Sequence, residues 1–504
     1  MFSFAVDYAT PSALESERDR QQLGLTACRT RPVRFHGRVT DGVLSLRMAL
    51  QALGAVVWSQ DSWATELEHQ FAVLDPVITV HPDQIFFEAF SQDQSACGIV
   101  VVDRAIFDTE GEVTHGTTNV DFTGWLWAAL GEMRTGRETW LRIEPGGFEV
   151  RTQGGGWRYE TKVDVPDEWV RGFLQLQGAM ALPGTRLRCR PVDLLAAIRF
   201  LSFNKARVSP RALRFELPPN EDARMVLEPF EHTIRLKGAG HQSESLRRIR
   251  TWGRRRLKLL EPLLPSADSV EIFLKGRALP TFYAVQLPGV TFLLGLTGWS
   301  SQRWTGSGSF DRLVADTGTD ESLVQSALEK LRSRIRYPVA GLADDLGVRP
   351  EVASKLLAVL CQRGRAMYDL QRAEYRHREL FESPPDPARL FPPDPRREAA
   401  GRILADQQVK VERCEIRETR KQRRLKTPEG KVTVDTVVRD WVICGTVCGQ
   451  PESSTEIVLD DNGRIIFGRC VCPFFDHNLM NAGPCEHMLA LRIASDEQRQ
   501  QHDT

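Results

Sequence analysis

The stretch Phe467–Arg492 reads FGRCVCPFFDHNLMNAGPCEHMLALR, and it gathers three of the chain's ten cysteines, with His487, into eighteen consecutive positions. The spacing is Cys470-x-Cys472, twelve residues, then Cys485-x-His487. Two close pairs of soft donors are the pattern of a metal site, and tetrahedral sulfur and nitrogen ligation is what zinc prefers. A Cys-x-Cys pair leaving a strand turns both thiolates to one side only at a knuckle, and Pro473 suits that break. The second pair falls in the first turn of a helix expected from Pro484 to about Ser495, where the positive end of the helix dipole favours a thiolate at Cys485. Three thiolates and an imidazole close the coordination sphere and leave no position for a catalytic water. The expected cofactor is therefore one structural Zn2+ held by Cys470, Cys472, Cys485 and His487, with Asp476 and His477 as loop residues.

Working outward, RIIFGRCVC, TEIVLD and VTVDTVVRDWVICGTVCG read as strands, and Arg396 to Arg424 reads as a charged helix. Cys444 and Cys448 are expected on one face of a strand, as core packing. Ser383–Pro395, SPPDPARLFPPDP, has six prolines in thirteen residues and reads as a stiff spacer. Before it, helices are expected over Glu321–Arg334, Val339–Leu346 and Pro350–Arg363, followed by a hairpin in RAMYDLQRAEYRHREL. That order spells a winged helix-turn-helix.

Cys-x-Cys, a variable loop and Cys-x-His behind a β-hairpin resemble the SWIM zinc finger over about Val432–Ile493, and GPCEHMLALR is similar to its bacterial members. The resemblance implies the same four zinc ligands, and DNA binding or protein–protein interaction as the role. GTTNVDF, PDEWVRGF, LLGLTGWSSQRWTGSGSFDRL and YDLQRAEYRHREL resemble the long bacterial SWIM zinc finger proteins often encoded beside MoxR-type AAA ATPases and von Willebrand factor A (VWA) proteins. This second likeness implies a partner class and no reaction.

The first 320 residues alternate short strands with a few helices. VITV, IFFEAF and GIVVV are expected strands, followed by a helix from Gly124 to Met133 capped by Asn119 or Asp121. A meander of TWLRIEP, FEVRT and WRYETKVDV comes next, then helices from Pro166 and from Val192 to Ala206, and strands in SVEIFLKG and FYAVQLPGVTFLLGLTG. The expected fold class is α+β multidomain: a mixed α/β N-terminal region of two subdomains (1–180 and 181–320), a winged helix-turn-helix (321–382), a Pro-rich linker (383–395) and a C-terminal domain (396–504) with a ββα-type zinc finger (432–493).

With 504 residues the chain exceeds one core, and with 66 Lys plus Arg against 66 Asp plus Glu it has no global field for nucleic acid or anionic lipid. Nowhere do eighteen apolar residues run together, and the N-terminus lacks the pattern of a secretory signal, so a cytoplasmic protein with no membrane contact is expected. No nucleophile elbow, HExxH helix or Walker lysine occurs, and Trp299–Trp304 reads as a polar loop between tryptophans, so no enzyme is expected. Two local basic clusters are candidate nucleic-acid contacts: Arg254, Arg255 and Arg256 beside Trp252, and Arg417, Arg420, Lys421, Arg423, Arg424 and Lys426 beside the finger. The expected function is a zinc-binding protein–protein adaptor, in a MoxR AAA ATPase/VWA system, with nucleic-acid contact as a second capacity. The alternatives are a DNA-binding protein using finger, basic helix and winged helix, and an unrecognised hydrolase.

Overall fold

In the computed structural model the described residues are 4–7, 12–28, 32–59, 76–91, 94–120, 124–145, 162–165, 167–206, 211–276, 279–297, 320–381, 395–427, 430–449, 451, 454–459, 465–480, 483–496 and 498. FEVRT, Asp121, Trp299–Trp304 and nearly all of the proline-rich stretch lie outside them. The chain divides into two compact units: 1–203 with 212–226 and 233–385, and 204–211 with 227–232 and 386–504.

The first unit is built on an eight-stranded sheet in the order Thr185–Cys189, Ser269–Leu274, Thr281–Leu287, Val290–Leu296, Ala96–Asp103, Gln84–Phe90, Val77–Val80, Gly116–Asn119. Every neighbouring pair is antiparallel. Strands from either side of residue 180 are joined where Val290–Leu296 pairs with Ala96–Asp103, from Val290↔Val102 to Leu296↔Ala96. The expected subdomains thus share one sheet. Gln84–Phe90 is buried at all seven positions, so the usual alternation is missing and both of its faces are covered.

The helix Val43–Val57 lies on this sheet, with Leu46, Leu50, Leu53 and Val57 buried at helical spacing. It approaches closely because Gly98 has no side chain: a Cβ there would meet Leu53 Cδ1 at 3.0 Å. Asn119, expected as a cap, is instead the last residue of the edge strand Gly116–Asn119 and is buried. A five-stranded sheet carries a parallel pair, Glu138–Glu144 with Arg20–Thr26.

Helices Glu321–Arg334, Val339–Leu346 and Pro350–Gln362 form as the periodicity predicts, the first capped by Asp320, whose carboxylate accepts from Ser322 N at 2.9 Å. The strands Ala366–Asp369 and Glu374–His377 form the expected hairpin, and Arg336–Tyr337 adds a third strand. Two arginines of this hairpin are wholly buried against the large sheet. Arg376 Nη1 donates to Asp83 Oδ1 at 2.9 Å and its Nε to Asp369 Oδ2 at 3.0 Å, while Arg378 Nη1 pairs with the Glu88 carboxylate. A buried charge persists only when paired in this way.

In the second unit the expected charged helix over 396–424 is corrected. Only Pro395–Ala405 is helical; Val409–Thr427 and Gly430–Val447 form a long antiparallel hairpin. Basic side chains fit helix or strand equally well, and the valine-rich partner strand decides in favour of a ladder. Thr455–Leu459 and Ile465–Arg469 complete a four-stranded sheet. No helix among the described residues is long and apolar enough to cross a membrane.

Candidate metal centre

Cys470 and Cys472 leave the edge strand Ile465–Arg469 at a knuckle, and the chain turns at once into the short helix Pro473–Asn478. This helix was not expected; Pro473 supplies the fixed φ of its first turn and Cys472 is its N-cap, the thiol sulfur accepting from Phe475 N at 3.4 Å. Cys485 is the N-cap of the helix Glu486–Ala494, one position before the turn expected for it, and His487 follows inside that turn. The helix lies on the sheet through Met488, Ala490 and Leu491, in one core with Trp441, Ile443, Ile457 and Leu459.

Within this frame the ligand atoms of Cys470, Cys472, Cys485 and His487 all lie within 4.8 Å of one another. Cys470 Sγ is 3.8 Å from His487 Nδ1. A tetrahedron with Zn–S bonds of about 2.3 Å has edges of about 3.8 Å, so the cluster has the size of a zinc site. The three cysteines are buried and His487 is half-buried. Hydrogen bonding from Cys485, joined by His487, holds the Cys470 thiol well below its ordinary range despite burial, which favours the thiolate that a metal requires. Thr455 Oγ1, 3.6 Å from Cys470 Sγ, adds a further polar neighbour.

Arg396 is a contributor that sequence reading missed. Its Nη1 donates to the Pro484 carbonyl at 3.3 Å and its guanidinium lies 5.3 Å from the Phe474 ring centroid, tying the helix Pro395–Ala405 to both ligand loops. A Cys3His site around a dication has net charge −1, and a nearby guanidinium offsets it. None of the remaining cysteines is in a disulfide, and with Cys444 buried in its strand and Cys448 beyond the strand's end and exposed, these two do not share a packed face.

The other candidate residues separate into two groups. Arg256 is buried and donates to Ser59 Oγ and, at 2.9 Å, to Ser95 Oγ, so its charge is used inside the first unit and is withdrawn as a phosphate contact. Arg254 donates to the Ala212 carbonyl at 3.4 Å, and Arg255 is exposed. Arg417, Arg420, Lys421, Arg423, Arg424 and Lys426 all lie on the strand Val409–Thr427 rather than on a helix. Asp476 and His477 fall in the short helix and stay outside the cluster.

Residues 456–494 match the family model of the SWIM zinc finger, and with the Cys3His cluster this segment is a SWIM zinc finger fitted to one structural Zn2+. No curated protein matches the chain. Similar solved structures include proliferating cellular nuclear antigen from Entamoeba histolytica, at 11% identity and TM-score 0.35, covering 53% of this chain and 98% of that one. PCNA of A. fulgidus bound to the C-terminal region of FEN-1 is similar at 12% identity and TM-score 0.33, covering 53% of this chain and 98% of that one. PCNA from Thermococcus kodakaraensis is similar at 12% identity and TM-score 0.33, covering 53% and 100%.

Proposed function

We propose that this SWIM zinc-finger chain is a non-enzymatic adaptor whose metal shapes a surface for a protein partner. The observation that carries the reading is the apolar surface around the centre: Ile466, Phe467, Val471 and Leu479 are 51–65% exposed. Ile466 and Phe467 sit on the strand that leads into the ligands, Val471 on the knuckle between Cys470 and Cys472, and Leu479 caps the short helix Pro473–Asn478. Large apolar side chains held in water by a rigid, metal-locked loop are the composition of a protein contact. Four protein ligands saturate the ion, which argues against hydrolytic use of the metal.

The segment 320–381 is read as a winged helix-turn-helix, supported by its order of helix, strand, helix, helix and hairpin. With Arg376 and Arg378 of the hairpin buried in ion pairs, this module serves packing within the first unit rather than base reading. The resemblance to long bacterial SWIM proteins supplies the partner class, a MoxR-type AAA ATPase or a VWA protein.

The test is purification of the tagged chain from its own cells, with nuclease, followed by mass spectrometry. A defined protein that stays bound, and is lost when Val471→Asp and Leu479→Asp are introduced with zinc content intact, supports the adaptor. Companions that vanish with nuclease, or that ignore both substitutions, overturn it.

A further inference from the structure

The helix Pro395–Ala405 is anchored at its two ends by different means. Its C-terminal half docks through Ala400 and Ile403, buried in the core that also holds Met488, Leu491 and the three ligand cysteines. Its first turn reaches the metal centre through Arg396, whose Nη1 donates to the Pro484 carbonyl at 3.3 Å and whose guanidinium lies 5.3 Å from the Phe474 ring centroid.

These two contacts fall one on each ligand pair. Phe474 stands in the short helix that Cys472 caps, and Pro484 is the residue before Cys485. The Pro484 carbonyl precedes Cys485, the N-cap of the helix Glu486–Ala494, so the ladder of that helix does not claim it. One planar side chain therefore spans both halves of the coordination set. A guanidinium stacks on a ring and donates from its rim at the same time, which a lysine ammonium does not.

The loop between the pairs calls for such a clamp. Leu479 and Met480 both have left-handed backbones, at φ 43° and 70°, and Gly483 follows at φ 86°. Glycine takes this conformation freely, whereas two successive residues with side chains hold it only where their surroundings fix them. The ligand pairs pin the loop from within. Arg396 pins it from outside, alongside Gly483, where a Cβ would stand 3.5 Å from Nη1.

We propose that Arg396 is a positioning residue of the zinc centre, and that through it the helix Pro395–Ala405 is a strap whose docking and metal binding strengthen each other. The strap lies outside residues 456–494, the segment that matches the family model. Zinc supplies four bonds that fix the spacing of the two ligand pairs, and at that spacing Phe474 and Pro484 form the seat of the guanidinium. The seated guanidinium in turn holds the pairs at the spacing that the ion needs, as outer partners of metal ligands do. Such linkage is reciprocal: the factor that Arg396 adds to zinc affinity is the factor that zinc adds to docking of the strap. The inference concerns the metal's hold on the fold and stands whether or not the apolar rim meets a partner.

The test uses the full chain. Zinc affinity is read by competition with a chromophoric chelator, and strap docking by hydrogen exchange of the amides of Ala399–Arg402 at saturating zinc. Arg396→Ala is expected to bind one zinc at saturation, with affinity about tenfold weaker and strap exchange faster by a comparable factor. Arg396→Lys, which keeps the charge without the planar fork, is expected to fall between this variant and the unsubstituted chain. Arg402→Ala, an exposed position on the same helix, is expected to leave zinc affinity unchanged. Phe474→Leu removes the ring and keeps an apolar side chain, and a loss of about two- to fivefold in zinc affinity is expected there; it keeps the test decisive should Arg396→Ala misfold. Unchanged zinc affinity in Arg396→Ala or in Phe474→Leu, an equal loss in Arg402→Ala, or faster strap exchange in Arg396→Ala with zinc affinity intact would overturn the proposal.

Discussion

Arg376 places its Nη1 2.9 Å from Asp83 Oδ1, a residue 293 positions earlier in the chain, and does so with no side-chain exposure of its own. The same guanidinium reaches Gln84 Oε1 at 2.7 Å and Asp369 Oδ2 at 3.0 Å. Burial raises the Asp83 pKa, but the hydrogen bonds and charges of Arg376 and Arg372 outweigh it and hold this carboxyl well below the usual range. The three-helix segment is thus anchored to the eight-stranded sheet by charges that cannot be separated without leaving one of them buried alone.

The Arg378–Glu88 pair gives the sharpest test of that anchor, because both side chains are at most 1% exposed. Arg378→Met leaves a buried carboxylate uncompensated and is expected to destabilise the first unit by about 3–5 kcal/mol. Adding Glu88→Gln is expected to recover part of the loss. Urea unfolding of the single and double variants measures both; a loss under about 1 kcal/mol in the single variant would sink the account.

A pH dependence follows from His81. Burial, then the charge of Arg376, pushes its pKa down to about 3, against a weaker opposite pull from the His377 carbonyl 2.8 Å from Nε2 and from Asp83. His377 is lowered too, chiefly by burial. A folded pKa below the unfolded value of about 6.5 means that the unfolded chain binds more protons between the two, so stability is full above about pH 6.5 and falls toward about pH 3. Each such proton contributes a slope of up to about 1.4 kcal/mol per pH unit. Denaturation between pH 7 and 4 should show this loss, and His81→Gln should flatten it.

At the metal centre Cys485→Ser removes one of four ligands from a site whose binding is coupled to the folding of its domain. Metal content by mass spectrometry is expected to fall from one zinc per chain toward none, with loss of structure confined to the second unit. Full zinc stoichiometry in that variant would refute the ligand assignment.

Gly445 marks where the finger helix meets the sheet. A Cβ there would stand 2.5 Å from the Lys410 carbonyl oxygen and 2.6 Å from Leu491 Cδ1, beside the bulge where Val411↔Gly445 gives way to Arg413↔Cys444. Backbone on one side cannot rotate away, so Gly445→Ala is expected to cost about 1–3 kcal/mol. Zinc release at lower temperature than in the unsubstituted chain would register it.

How much of this was legible beforehand depended on the distance over which each feature is decided. The zinc ligands were readable because their spacing lies within eighteen residues and chemistry leaves thiolates and imidazole few other uses. Glu321–Arg334, Val339–Leu346 and Pro350–Gln362 were readable because a helix closes its own hydrogen bonds and writes its buried face into a local period. The run beyond Ala405 was misread as helix because a row of arginines and lysines has no such period; the strand Gly430–Val447 across the turn decides it, and a ladder's stability resides in its pairs.

The amino-acid sequence by itself therefore determined the metal, its four ligands and the local helices, each fixed by neighbours a few positions away. Only the tertiary structure decided that one sheet joins both sides of residue 180, that Arg256, Arg376 and Arg378 are interior while Arg255 is exposed, and that a basic run becomes a ribbon. The reason is common to all three: the cost of burying a charge or an unpaired strand edge is met by partners far along the chain, such as Asp83 for Arg376, whose proximity exists only once the fold has formed.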